Sequence, residues 1–65
     1  MAAYSIIFNG YAANRSVYRR QEITINTPYN WSRNKIEAEN VMYLVHKKLH
    51  EHFGRYEILN IEKIA

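Results

Sequence analysis

The chain contains no cysteine and no aspartate, and only one proline and two glycines occur among its 65 residues. The lack of cysteine excludes disulfides and thiolate metal sites and is typical of a reducing compartment. Two glycines are too few for a glycine-rich phosphate-binding loop. No apolar run is long enough to span a membrane, and no signal segment opens the chain. We therefore expect one cytosolic domain, residues 1–65, with no cofactor and no membrane.

Catalytic groups are scarce. All six acidic residues are glutamates, and no serine stands in a pattern with a base and an orienting group. His46 and His50 have the spacing at which two imidazoles on one helix face bind zinc, but no third ligand accompanies them. We expect these histidines to be solvated and to favour the negative end of a helix dipole, with a metal pair as the lesser alternative. The sequence thus predicts neither an enzyme nor a metal site.

The segment Trp31–Phe53 is the only stretch with a sustained helical period. At about 100° per residue, its apolar side chains form one stripe on the helix surface. The stripe consists of Ala38, Val41, Met42, Val45, Leu49 and Phe53. Ile36 and Tyr43 project together from the opposite face, where a stacked apolar pair suggests a contact surface.

Strand patterns flank this helix. The segments Ala3–Tyr11 and Tyr18–Ile25 are predicted strands joined by a short loop, and Tyr56–Ile64 is a third. The predicted fold class is α+β: a small β-β-α-β domain in which a three-stranded antiparallel sheet carries one long helix on one face.

Both faces of the predicted sheet carry apolar side chains. In the first strand, alternation turns Ile7 away from Ile6, and in the third it places Leu59 and Ile61 on the face opposite Ile58. One helix cannot cover both faces. The excess predicts that the sheet pairs with a second copy or docks another protein.

Short signals mark the ends of the elements. Gly54 follows the helical segment and is expected to adopt a left-handed C-cap. The Asn9-Gly10 dipeptide predicts a turn or a bulge. Three side chains compete as the N-terminal cap of the helix: Thr27, Asn30 and Ser32.

Basic and aromatic residues are both plentiful. The net charge is +3, and the chain contains six tyrosines and one tryptophan. Arginine with aromatic rings is the composition that binds single-stranded nucleic acid, and it also dominates protein interfaces. A solvated strand face with half-buried tyrosines is the third possibility. The basic cluster is Arg15, Arg19, Arg20, Arg33 and Lys35.

The first half of the chain resembles a known family. Its ordered motifs are Phe8-x-Gly10-Tyr11, Asn14-x-Ser16-x-Tyr18 and Glu22-Ile23-Thr24, followed by Trp31. This order is similar to that of the discriminator of mRNA degradation (Dmd) antitoxins of T-even-type phages, which have Phe-x-Gly-Trp, Asn-x-Ser-x-Phe, Glu-Ile-Thr and a later tryptophan. Tyr11 and Tyr18 are aromatic replacements for the family residues. The match needs one extra residue between Tyr18 and Glu22 and one fewer between Thr24 and Trp31.

The resemblance implies a phage antitoxin in the cytoplasm of the infected bacterial host. Such a protein is a non-enzymatic inhibitor that binds a host endoribonuclease toxin, occludes its active-site cleft and prevents mRNA degradation. It implies a protein partner and no cofactor. We expect a monomer or weak dimer, and we do not expect a nucleic-acid partner on this interpretation. The alternative is a small basic RNA-binding protein that uses the aromatic and arginine-rich hairpin.

The toxin-contacting tryptophan of the family maps onto Trp31. On a continuous helix this residue would face the core stripe, so a core position is the competing interpretation. The residues predicted to bind the partner are Trp31, Tyr11, Asn14, Arg15, Tyr18 and Arg33.

Overall fold

The elements follow one another in the order β-β-α-β, which confirms the predicted α+β fold class. A computed structural model describes residues 1–65. Its elements are β1 (Ala2–Tyr11), β2 (Val17–Thr27), α1 (Lys35–His50) and β3 (Arg55–Lys63). The three strands form one antiparallel sheet of order β2-β1-β3, with β1 in the centre. The single helix lacks the length and apolar character needed to cross a membrane.

The hydrophobic core lies between β1 and α1. Every second side chain of β1 is buried there: Tyr4, Ile6 and Phe8. The helix buries three residues at a spacing of four: Val41, Val45 and Leu49. All three belong to the predicted stripe, so the helix phase read from the sequence is confirmed. Partly buried side chains complete the core from the other segments: Ile23, Ile25, Trp31, Phe53, Tyr56, Ile58 and Ile61.

The helix begins later than predicted, because Asn34 caps it. The Asn34 backbone is extended (φ −165°, ψ 173°), and its Oδ1 accepts a hydrogen bond from the Glu37 N–H at 2.9 Å. The three caps considered from the sequence are wrong. The side-chain oxygen of Thr27 instead accepts the backbone N–H of Tyr29, and that of Asn30 accepts the backbone N–H of Ser32. These local hydrogen bonds stabilise turns in the connection between β2 and α1, and they do not cap the helix.

The helix ends at His50, also earlier than predicted. Glu51 keeps right-handed backbone angles (φ −64°, ψ −24°), and the Phe53 N–H donates to the Leu49 carbonyl at 2.9 Å. Gly54 has no positive φ, so the predicted left-handed cap is wrong. The last carbonyls of α1 already accept backbone N–H groups from the residues that follow, so no left-handed residue is required.

A β-bulge interrupts edge strand β2. Arg19 and Arg20 together lie opposite Asn9, and Arg20 has a left-handed φ of 51°. The Asn9 side-chain oxygen accepts the Arg20 N–H at 2.9 Å. This bond satisfies a backbone group that the bulge removes from the ladder. The irregularity predicted at Asn9-Gly10 is therefore a bulge in the facing strand.

A second bulge interrupts β3. Leu59 has no partner in β1, between the paired residues Ile58 and Asn60. This extra residue shifts the side-chain alternation, so Ile58 and Ile61 both pack against the core while Leu59 is 41% exposed. The predicted grouping of Leu59 with Ile61 is wrong for this reason. Ile7 is half-buried, and Leu59 remains an exposed apolar side chain of the sheet.

Gly10 makes room for an aromatic ring at the end of β1. A Cβ atom at this position would lie 2.5 Å from the Phe53 ring. Phe53 packs edge-on against Phe8, with the ring centroids 5.5 Å apart. The absence of a side chain at Gly10 therefore lets Phe53 close the core next to the β1–β2 hairpin loop.

Candidate functional site

The predicted partner-binding residues lie in two separate groups. Trp31 packs on Tyr4 near the start of β1, whereas Tyr11 ends that strand. At about 3.3 Å per residue, the seven steps along β1 from Tyr4 to Tyr11 separate the groups by about 23 Å, in a molecule 39 Å long. We name the first group the helix-entrance surface: Tyr29, Trp31 and Arg33. The second is the hairpin-end surface: Tyr11, Asn14, Arg15 and Tyr18.

At the helix-entrance surface, Trp31 is half-buried. Its ring meets that of Tyr4 edge-to-face, with centroids 4.7 Å apart and an angle of 60° between the planes. The same ring is part of the boundary of the hydrophobic core. Trp31 therefore combines the two positions considered from the sequence, because one part of the ring packs inward and another part remains accessible.

The hydroxyl of Tyr4 holds the backbone of this surface in place. Tyr4 is completely buried, yet its Oη accepts the Trp31 N–H at 3.0 Å and donates to the Tyr29 carbonyl at 3.1 Å. Both partners belong to a connection that has no regular secondary structure. One buried hydroxyl thus fixes the backbone on both sides of Asn30 and presents Tyr29, which is 36% exposed.

Glu37 fixes the same connection from the helix. One carboxylate oxygen accepts the Asn30 N–H at 3.4 Å, and the other lies 3.3 Å from Arg33 Nε. The Arg33 side chain is 68% exposed, whereas that of Glu37 is 15% exposed and its Oε2 atom is buried. Solvent therefore screens the guanidinium end of this ion pair, and Arg33 is the one charged group near the buried carboxylate oxygen. The pair holds the Arg33 guanidinium group at the first turn of α1.

Tyr4→Phe tests this arrangement. The variant leaves the Trp31 N–H and the Tyr29 carbonyl without a protein partner in a partly buried position, which should cost about 1–3 kcal/mol of unfolding free energy. Urea unfolding measures the cost, and the emission of the single tryptophan reports the changed surroundings of the ring. Tyr43→Phe is the control, since Tyr43 is 63% exposed. Identical stability and emission in both variants would contradict the proposed anchoring role.

The hairpin-end surface is built on a five-residue loop, Ala12–Ser16. The Arg15 N–H donates to the Ala12 carbonyl at 3.1 Å, and the Asn14 side-chain oxygen accepts the Ser16 N–H at 3.0 Å. Arg15 has a left-handed φ of 69°. Asn14, predicted as a contact residue, uses its amide oxygen to shape this turn, and Arg15 is the exposed basic group that the turn presents.

A cleft of about 450 Å³ opens beside this loop. Arg55 forms one wall, with its guanidinium carbon 5.5 Å from the centre of the Tyr11 ring, a distance typical of cation–π contact. Arg55 is not among the partner-binding residues predicted from the sequence. Antiparallel pairing of the third strand with the first would have placed it opposite Tyr11. Tyr18 does not line the cleft; it packs on Phe53 with centroids 5.7 Å apart.

The structure divides the predicted basic cluster. Arg33 and Lys35 lie at the helix entrance, whereas three arginines stay together near the hairpin and Arg55 joins them. The only ion pair in the protein joins Arg33 to Glu37. The four arginines near the hairpin therefore have no carboxylate partner: Arg15, Arg19, Arg20 and Arg55.

His46 and His50 pack around one tyrosine. The Tyr56 hydroxyl contacts His46 Nδ1, and the His50 ring meets the Tyr56 ring edge-to-face at 5.1 Å. No group of three potential ligands for a metal ion occurs in the structure. His46 and His50 are four residues apart, as in a zinc-binding pair, but here this spacing places both imidazoles against the Tyr56 ring of β3.

Ile36 and Tyr43 form a third exposed patch. They are 71% and 63% exposed on the outer face of α1, as predicted. Neither side chain belongs to the hydrophobic core, so their truncation provides matched controls for changes at buried or contacting residues.

Comparison of the chain with protein-family models, curated proteins and solved structures finds no match.

Proposed function

We propose that the protein is a phage antitoxin that binds a host endoribonuclease toxin and occludes its active-site cleft, without catalysis and without a cofactor. Its site of action would be the cytoplasm of the infected bacterium. The observation that supports this proposal best is the helix-entrance surface, where an aromatic ring and a guanidinium group are held in position before any partner arrives.

Preorganisation favours a binding function for this surface. Two hydrogen bonds to the buried Tyr4 hydroxyl and the contacts of Glu37 restrain the segment that carries Trp31 and Arg33. A surface ordered in advance loses less conformational entropy when a partner binds. Tryptophan and arginine are also the residues most enriched among interface anchors.

The resemblance to Dmd antitoxins fits the strand geometry. The extra residue required between Tyr18 and Glu22 falls where β2 contains its bulge, at Arg19 and Arg20. A bulge absorbs one additional residue without shifting the rest of the strand out of register. The aligned Glu22-Ile23-Thr24 motif therefore keeps its pairing with β1 despite the insertion.

Co-expression with a panel of bacterial endoribonuclease toxins tests the proposal. We expect growth to be rescued for at least one toxin, and the purified pair to co-elute and to stop cleaving mRNA. Inhibition by occlusion should require stoichiometric protein and should be competitive with RNA. Failure to rescue growth against every toxin, with the protein expressed and folded, would refute the proposal for that panel. Rescue with no complex between the purified proteins would refute the occlusion mechanism.

A further inference from the structure

We propose that the cleft at the hairpin end binds the sugar–phosphate backbone of single-stranded nucleic acid. This inference concerns a second surface and does not require the toxin. Arg15 and Arg55 line the cleft together with Tyr11 and the small residue Gly54, and no acidic residue lines it.

The charge of the cleft favours an anionic ligand. None of the four arginines near the hairpin forms an ion pair within the protein, although six glutamates are present in the chain. Guanidinium groups match phosphate oxygens through paired N–H donors. A polyanion that releases counterions on binding is the ligand such a cluster attracts most strongly.

The aromatic groups favour nucleic acid over an acidic protein. Arg55 lies over the Tyr11 ring in the cleft, and Tyr18, which lies outside the cleft and packs on Phe53, is 44% exposed in β2. Guanidinium groups that alternate with aromatic rings are typical of surfaces that bind single-stranded nucleic acid, because the bases stack on the rings and the phosphates contact the arginines. A carboxylate-rich peptide would use the arginines but not the rings.

The backbone at Arg15 supports a functional reason for its side chain. The left-handed φ of 69° is unfavourable for every residue that has a Cβ atom, and glycine adopts it freely. Asparagine and aspartate are the usual substitutes for glycine at such positions. The hairpin turn requires left-handed angles at this position, but it does not require a long basic side chain there, so the fold leaves the choice of arginine open to a binding role.

Gly54 provides a way to block the cleft without disturbing the fold. A Cβ atom at Gly54 would meet no atom within 4 Å, and the residue has no positive φ. Gly54→Glu and Gly54→Lys therefore introduce opposite charges of similar length at the same open position. Arg15→Gly removes a charge and relieves the backbone, so its thermal midpoint should equal or exceed that of the parent.

The test measures fluorescence anisotropy of labelled single-stranded RNA and DNA, about 12 nucleotides long, with toxin-free protein. Each lost phosphate contact should weaken binding about fivefold near 0.1 M salt and lower the salt slope by about 0.7. We expect this weakening of oligonucleotide binding for Arg15→Gly and for Arg55→Gln. Gly54→Glu should weaken the binding more, and Gly54→Lys should strengthen it. Lys47→Gln with Lys48→Gln, which removes two charges from α1, is the control.

Several outcomes would overturn the inference. These are no binding by the parent protein at low salt, equal binding by the two Gly54 variants, or an equal effect of the α1 control. A polyglutamate peptide that binds as tightly as the oligonucleotides would instead indicate an acidic protein partner. Equal affinity for RNA and DNA supports the inference. A preference for RNA also supports it and would indicate an additional contact with the 2′-hydroxyl. Growth rescue against the toxin is a separate measurement, so each proposal can fail alone.

Discussion

Trp31→Ala should weaken binding to the toxin at least about thirtyfold, which corresponds to about 2 kcal/mol or more. The accessible part of the ring is the part expected to enter a pocket on the toxin. The buried part contacts Tyr4 and packs against the core, so the variant should also lose the aromatic pair, worth about 0.5–1.5 kcal/mol, together with the stabilisation from the buried part of the ring. The two losses are separable, because titration calorimetry at low temperature compares folded proteins. Growth rescue should fail in the same variant.

Controls distinguish a contact from a structural role. Tyr43→Ala removes an exposed aromatic ring elsewhere on the molecule and should leave toxin binding unchanged. Arg33→Gln should weaken binding more than it weakens folding, because Arg33 is 68% exposed; some loss of stability is expected as well, since the buried Oε2 of Glu37 loses its charged partner. In the parent protein, tryptophan emission should shift to the blue when toxin is added. Unchanged emission together with parent-like affinity of folded Trp31→Ala would remove Trp31 from the contact surface.

Leu49→Ala should cost about 2–4 kcal/mol of unfolding free energy. Leu49 is 1% exposed and lies on the helix face that packs against β1, so truncation removes buried methyl groups and leaves a cavity. For a domain of 65 residues, the total stability is of the order of 3–10 kcal/mol. A single truncation therefore removes a large part of it, and chemical denaturation followed by circular dichroism measures the loss.

Ile36→Ala provides the matched comparison for Leu49. It removes a similar number of methyl groups from the same helix, but at a position that is 71% exposed. We expect a change within about 0.5 kcal/mol. Equal losses for Leu49→Ala and Ile36→Ala would mean that α1 is rotated relative to the described packing.

The element order and the helix phase could be predicted because their signals are local. The stripe through Val41, Val45 and Leu49 follows from a helical period, and the burial of Ile6 and Phe8 follows from strand alternation. These patterns need no knowledge of the partner element. For that reason the fold class and most of the core were accessible from the sequence alone.

The details that failed depend on contacts between distant segments. Ile61 shares the core face with Ile58 rather than the other face with Leu59, because a bulge intervenes at Leu59, and no residue type in β3 predicts that bulge. Asn34 was overlooked since three earlier polar residues were equally good caps by type. The separation of Trp31 from Tyr11 could not be seen either, because it depends on which part of β1 the helix entrance crosses.

The two bulges bear on how the protein behaves when concentrated. With β1 in the centre, both edges of the sheet expose unpaired N–H and C=O groups, which can template growth by strands of other molecules. The edge of β2 is broken at Arg19 and Arg20, where two positive charges also repel an identical edge, and that of β3 is broken at Leu59. A strand from another molecule can pair in register with either edge strand only as far as its bulge. Deleting the extra residue of either edge strand would lengthen its uninterrupted edge and remove this obstacle to strand addition.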